Sequence, residues 1–268
     1  MPELPEVETT RRGIANLLTG KTVRSFSVRE PRLRWPVSIP SEIVGQRLEN
    51  VARRAKYLLL EFEKDTLLVH LGMSGKLSVV STGAPTGPHD HVDIQFDSSA
   101  VLRLNDPRRF GSILWQQPTV THKLLANLGP EPFSKDFDGE YLFRIAKLRK
   151  TSIKNLLMDS RVVAGVGNIY ANEALFRAGI RPRRSSRRIS RKECHVLVEA
   201  IRATLGEALR AGGTTIRDYE SVDGSKGYFS VDLFVYGRSG LPCLRCGTSI
   251  KRVNHGQRQT VYCANCQT

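Results

Sequence analysis

Cys243-Leu244-Arg245-Cys246 and, after 16 intervening residues, Cys263-Ala264-Asn265-Cys266 form two C-x2-C pairs. Four thiolates satisfy a tetrahedral zinc ion and each pair closes a tight knuckle, so this spacing reads as a zinc ribbon. A metal supplies the stability that so short a segment cannot draw from an apolar core. Four soft ligands leave no open coordination position, and one structural Zn2+ is expected rather than a catalytic one. The competing reading is four unligated cysteines in a reducing compartment. Between the knuckles, Lys251, Arg252, His255 and Arg258 make a basic hairpin with Thr260 and Tyr262 behind it. That composition suits contact with a phosphate backbone, and it reads equally well as a solvated loop.

Upstream of the knuckles the periodicity is helical. Ser190-Arg191-Lys192-Glu193 has the pattern of a capping box, and Cys194, Leu197, Val198, Ile201, Leu205 and Leu209 continue an apolar stripe up to Gly212-Gly213. Cys194 lies on that stripe and is read as a core residue, apart from the metal set. Gly129-Pro130-Glu131-Pro132 reads as a linker. Before it, Tyr57–Phe62, Thr66–His70, Val92–Phe96 and Val101–Leu104 are short apolar runs separated by turn residues, as in strands. From Pro5 to Leu18, the residues Val7, Ile14, Leu17 and Leu18 fall on one helical face, with Gly20 as a stop. The fold class expected is α+β: an N-terminal helix plus a β-sandwich domain over residues 1–128 and a linker over 129–136. A helical domain over 137–232 and a metal-bound hairpin over 233–268 follow.

Charge narrows the partners. The chain carries 41 Lys and Arg against 26 Asp and Glu, a net +15, so polyanions and first of all nucleic acid are expected to bind it. No stretch approaches the ~18 consecutive apolar residues of a membrane span, and the first residues do not read as a signal peptide. A cytoplasmic, nucleoid-associated location and no membrane partner are expected. The run Arg177–Lys192 holds eight basic residues and no acidic one, and is read as a solvated turn rather than a phosphate track.

Pro2 follows the initiator Met1. Once Met1 is removed, Pro2 offers a secondary amine able to attack an electrophilic sugar carbon and form an iminium. Glu3 and Glu6, three residues apart, face one side of the helix start, and a carboxyl beside an amine nucleophile is a sensible proton donor to a sugar oxygen. The plainer reading is that Pro5 begins the helix and the two glutamates complement its dipole.

Pro2-Glu3-Leu4-Pro5-Glu6-Val7-Glu8-Thr9 resembles the N-terminal signature of the formamidopyrimidine-DNA glycosylases. The resemblance continues through Arg53-Arg54-Ala55-Lys56-Tyr57, His70-Leu71-Gly72-Met73-Ser74-Gly75 and Asp106-Pro107-Arg108-Arg109-Phe110-Gly111. Gly165-Val166-Gly167-Asn168-Ile169-Tyr170-Ala171 and the cysteine hairpin complete it in the family's order. It implies Pro2 as nucleophile at the sugar C1′, Glu3 as proton donor and Glu6 as support. Lys56 would assist β-elimination and touch the phosphate beside the lesion; Arg258 would serve the final elimination and phosphate binding. His70, His89, Arg149 and Asn168 match DNA-contact positions, Asn168 within a helix–two-turns–helix element. Met73, Arg108 and Phe110 match a wedge that fills the gap left by an extruded base. The segment from Gly212 to Phe229 resembles a lesion-capping loop.

The expected activity is therefore excision of 8-oxoguanine and formamidopyrimidines from damaged double-stranded DNA by a monomer, with strand cutting by β- and δ-elimination. Extrusion of the nucleotide is required because a stacked duplex leaves no room for chemistry at C1′. Two other readings compete. An endonuclease VIII-like enzyme for oxidised pyrimidines carries Gly where this chain has Leu4, and a non-catalytic zinc-ribbon DNA-binding protein has no need of Pro2 with Glu3.

Overall fold

The computed structural model describes residues 2–116, 121–212 and 233–268; all of the expected lesion-capping loop but Gly212 lies outside them. Two compact units are present, one containing residues 2–126 and the other Asn127–Ala211 with residues 233–268.

The first unit opens with helix α1 (Leu4–Leu18), whose buried face is built by Leu4, Val7, Thr10, Ile14 and Leu18. Leu17, expected on that face, is 46% exposed. At about 100° per residue it lies roughly 80° from Val7, beyond Thr10, which fills the edge of the stripe instead. Eight strands follow: β1 (Val23–Val28), β2 (Leu48–Arg54), β3 (Tyr57–Phe62), β4 (Thr66–His70), β5 (Lys76–Ser81), β6 (Asp90–Phe96), β7 (Ala100–Asn105) and β8 (Ser112–Gln116). They form two antiparallel four-stranded sheets, ordered β1-β6-β7-β5 and β2-β3-β4-β8. Alternation in β3 buries Leu58, Leu60 and Phe62. These pack with Val92, Ile94, Phe96, Leu102 and Leu104 from the other sheet, and Val7, Ile14 and Leu18 of α1 join the same core. Each such side chain contributes about 1.5–3 kcal/mol on burial. The short helix α2 (Lys123–Ala126) ends the unit.

The second unit contains α3 (Gly139–Leu148), α4 (Ile153–Leu157), α5 (Asn168–Arg177) and α6 (Arg191–Arg210), then strands β9 (Lys251–His255) and β10 (Arg258–Tyr262). Two turns between α4 and α5 make the helix–two-turns–helix element. The capping box on α6 is present: Ser190 Oγ accepts the N–H of Glu193 at 3.2 Å, and Glu193 accepts that of Ser190 at 2.7 Å. Cys194 is buried among Leu197, Val198 and Ile201. A Cβ at Gly139 would fall 2.3 Å from the His195 ring where α3 meets α6, so any side chain there would force that ring to shift. The segment read as a linker is bonded into this unit: Gly129 N–H donates to Ser160 O, and Pro130 O accepts from Ala164 N–H.

The basic run Arg177–Lys192 is less free than a solvated turn. Arg177 pairs with Glu207, Arg184 with Glu193 and Arg191 with Glu140, and Arg181 donates to the carbonyls of Ala264 and Gln267. Acidic partners outside the run hold what looked like an unopposed patch.

Candidate functional site

In the first unit, strand register sets the geometry. Arg54 pairs with Tyr57, leaving Ala55 and Lys56 as a two-residue turn. Such turns require positive φ, and Ala55 adopts φ 54°, a conformation that a side chain disfavours. Its carbonyl is held by Arg53, whose guanidinium donates to Ala55 O at 2.9 Å and to Glu8 of α1 at 3.1 Å. A continuous strut thus runs from α1 to the turn that displays Lys56.

The same α1 places Pro2 and Glu3 at its head. Glu3 is the N-cap residue and helix begins at Leu4, one residue before Pro5. Glu6 turns back so that its Oε2 accepts the N–H of Glu3 at 2.8 Å, half of a reciprocal capping box. Glu3 is 2% exposed, so its carboxyl is shielded from bulk water, while Pro2 beside it is half-buried. The capping role and a site for proton chemistry coincide on the same residues.

Register also carries His70 to this edge. Tyr57 faces His70 across β3–β4, and His70 faces Ser112 across β4–β8. The Tyr57 and His70 rings lie 4.8 Å apart. Burial, then the charges of Lys56 and Arg34, push the His70 imidazole down to about 4, so it is neutral near pH 7. Its Nδ1 accordingly accepts the N–H of Gly72 at 3.0 Å. Gly72 has φ 63°, and a Cβ there would lie 2.4 Å from the carbonyl carbon of Phe110. Glycine is therefore what lets the loop of Met73 touch the loop of Arg108 and Phe110. Met73 and Phe110 are each 42% exposed, which excludes ordinary core packing for both. The Arg108 guanidinium lies 5.0 Å from the Phe110 ring centroid, a cation–π contact that holds the pair together. His89 is exposed at the end of the loop before β6.

In the second unit, Arg149 caps the C-terminus of α3 and is exposed, and Asn168 is the first residue of α5. Arg258 opens β10, exposed, opposite His255. His255, in the hairpin that composition leaves open between phosphate contact and solvated loop, sits 2.7 Å from Ser152 Oγ at the N-cap of α4. The inner edge of the hairpin needs a polar partner there, and His255 supplies it.

The four cysteine Sγ atoms lie within 4.8 Å of one another. Cys243 and Cys266 are 3.9 Å apart and Cys246 and Cys263 3.5 Å, against an edge of about 3.8 Å for a tetrahedron of Zn–S bonds near 2.3 Å. Backbone N–H groups of Arg245 and Cys266 point at Cys243 and Cys263 sulfur, each at 3.4 Å, as thiolate ligands require. The apolar cluster around the knuckles is small, comprising Phe176, Val235, Ile250 and Val261 with the cysteines. The donor set fits one Zn2+ that stabilises the hairpin, with no position open for chemistry.

Comparison with known proteins accords with this geometry. Residues 1–113 match the formamidopyrimidine-DNA glycosylase N-terminal domain, 128–220 the H2TH domain of the same glycosylase, and 240–268 a zinc finger found in FPG and IleRS. The formamidopyrimidine-DNA glycosylase of Thioalkalivibrio sulfidiphilus is 57% identical over 270 residues, covering all of both chains. The chain belongs to the formamidopyrimidine-DNA glycosylase family. Among solved structures, a point mutant of the Lactococcus lactis FPG in complex with DNA containing Fapy-dG matches with TM-score 0.92 and 33% identity over the whole of both chains. A MutM complex with DNA containing carbocyclic 8-oxo-G matches with TM-score 0.91 and 33% identity, again over both whole chains.

Within this family frame, four charged residues hold loops through internal partners, Asp106 and Arg53 inside the quoted motifs and Lys154 and Glu173 outside them. Asp106 is fully buried and accepts from Ser74 Oγ at 2.9 Å and Gly111 N–H at 2.7 Å, tying together the loops of Met73 and Phe110. Arg53, half-buried, braces the Lys56 turn. Lys154 on α4 is fully buried, and its Nζ donates to Gln259 O at 2.8 Å and Thr260 Oγ1 at 2.7 Å, directly after Arg258. Glu173 on α5 accepts the N–H groups of Phe234, Val235 and Tyr236 at 2.7–2.9 Å. Burial outweighs those donors, so its carboxyl lies above the usual carboxylate range. Nothing local in the sequence marks Lys154 or Glu173, because their partners lie elsewhere in the chain.

Proposed function

We propose that this chain extrudes an oxidised purine, 8-oxoguanine or a formamidopyrimidine, from duplex DNA, displaces it with Pro2 and then cuts the strand. Family membership makes it a DNA glycosylase with lyase activity at abasic sites; the lesions are those held by the matched glycosylase complexes. The Pro2 nitrogen, freed by loss of Met1, attacks C1′ as the bond to the base breaks. Glu3 protonates the sugar ring oxygen, and opening of the ring leaves an iminium between Pro2 and C1′. Loss of a proton from C2′ expels the 3′ phosphate, assisted by Lys56. A second elimination expels the 5′ phosphate, which Arg258 binds. Glu6 supports Glu3 through its backbone N–H. His70, His89, Arg149 and Asn168 contact the DNA backbone, while Met73, Arg108 and Phe110 occupy the void and meet the orphan base. The protein acts as a monomer.

The observation that carries this reading is Pro2 at the head of α1, directly ahead of a buried Glu3. Borohydride trapping on an 8-oxoguanine duplex tests it. The processed protein should yield a covalent protein–DNA adduct, and Pro2→Gly or retained Met1 should yield none. Trapping by a Met1-retaining preparation would overturn the mechanism.

A further inference from the structure

The loop preceding the wedge carries a second arginine–aromatic pair to which no motif assigns a role. The Arg34 guanidinium lies 4.8 Å from the Trp35 ring centroid, the geometry of a cation–π contact. Arg34 donates its backbone N–H to Gly111 O at 3.1 Å, fastening this loop to the one that carries Arg108 and Phe110. Its charge also reaches His70 and Tyr57. Neighbouring arginines are neutralised. Glu30 binds Arg32 at 2.9 Å and Arg109 at 3.3 Å, and Arg29 pairs with Asp93 at 2.8 Å. Among the described residues, the exposed Arg34 side chain has no carboxylate partner and no hydrogen bond; its one side-chain contact of this kind is the Trp35 ring. Trp35 in turn is half-buried without joining the apolar core of the unit.

An exposed arginine with no carboxylate partner keeps its charge available to an anion, and the Trp35 ring beside it offers a flat face. Together they make a guanidinium ordered on a flat support, with its N–H edges free for a bidentate acceptor. We propose that Arg34, laid on Trp35, binds a backbone phosphate of the DNA beside the Met73–Arg108–Phe110 wedge. The inference rests on the DNA-glycosylase reading and adds a contact to it. A phosphate rather than a base edge is the ligand, because the contact then fixes register irrespective of sequence.

The test is fluorescence anisotropy of the zinc-loaded full-length protein on a duplex with a tetrahydrofuran abasic site, titrated across about 50–200 mM salt. Arg34→Gln should weaken binding about tenfold, as expected for one charge-assisted contact, and lower the log–log salt slope by about one. Arg34→Lys should restore the slope. The melting temperature of both variants should stay within about 3 °C of the wild type, since Arg34 has no intramolecular ion pair to lose and only an exposed cation–π contact. Unchanged affinity and slope in Arg34→Gln, or a loss that varies with the flanking bases, would overturn the proposal. Failure of the wild-type protein to prefer the lesion duplex over undamaged DNA would instead sink the glycosylase reading itself, so the two failures are distinguishable.

Discussion

Removing the Asp106 carboxylate should loosen two candidate DNA-contacting loops at once. One oxygen accepts from Ser74, next to Met73, and the other from Gly111, next to Phe110. The Asp106 backbone N–H donates to His89 O at 2.9 Å, so the loop of His89 ends on the same residue. Asp106→Ala deletes two bonds to a charged acceptor, worth about 1.5–3 kcal/mol each. The Gly111 N–H is left buried and unpaired, whereas the half-buried Ser74 hydroxyl regains water. The net loss is about 3–5 kcal/mol, equivalent to a fall in melting temperature on the order of 10 °C. Asp106→Asn should lose much less. Its carbonyl can accept from Gly111 while its amide donates to Ser74, keeping the geometry with neutral bonds worth about 1 kcal/mol each. Circular dichroism melts give the stability, and 2-aminopurine placed opposite the lesion reports wedge insertion. The order wild type, Asn, Ala should hold in both measurements. An Asp106→Ala protein that melts and inserts like wild type would show that the two loops are held independently of this carboxylate.

Three further perturbations separate the other parts of the site. Arg53→Gln leaves Glu8 paired with Arg11 and Arg12 but removes the brace on Ala55 O, so cutting at a preformed abasic site should slow several-fold while stability falls by about 1–2 kcal/mol; wild-type cleavage rates would refute the strut. His70 is held near 4 in the folded protein against about 6.5 unfolded. Between those values the unfolded chain takes up a proton that the folded one does not, so stability falls as pH drops through this window. His70→Asn keeps an acceptor for Gly72 without titrating, and in urea unfolding the wild-type advantage should shrink from pH 7 to 4; a pH-independent difference would contradict the assignment. Removing zinc, by chelation or Cys243→Ser, should abolish protection of β9 and β10 in hydrogen exchange and weaken DNA binding, leaving β3 and β4 protected. Undiminished affinity in metal-free protein would exclude a role for the hairpin in binding.

The parts legible in sequence are those whose signal is local. Metal chemistry dictates the cysteine spacing, so the knuckles are readable without a fold. Runs such as Tyr57–Phe62 announce themselves as short apolar stretches between turn residues, and Ser190 with Glu193 announces the start of α6. Leu17 misleads because a helical face about 100° wide admits Thr10 at its margin and excludes a leucine just past it. His255 is left open because composition shows a basic hairpin but cannot show which edge docks on Ser152. The arginine run reads as unopposed since its acidic partners, Glu140 and Glu207, stand outside it. Lys154 is the least legible: its acceptors on β10 are more than a hundred residues away.

Lys154 and the other inward-reaching charged residues share a common physical logic. Residues that meet DNA must be exposed, so the loops presenting them cannot anchor themselves through their own apolar side chains. Backbone groups in those loops still need partners wherever they are buried. A charged side chain reaching inward meets both needs, since its bonds to backbone are stronger than neutral ones and are directional. Asp106 does this for Gly111, Arg53 for Ala55, Lys154 for Gln259 and Glu173 for residues 234–236. Desolvating a charge is unfavourable on its own, and the rise in the Glu173 carboxyl shows that penalty persisting beside three donors. An apolar core of this size has no need of such groups for stability alone. Their placement against loop backbone supplies the positional accuracy that the proposed chemistry at a single extruded nucleotide demands.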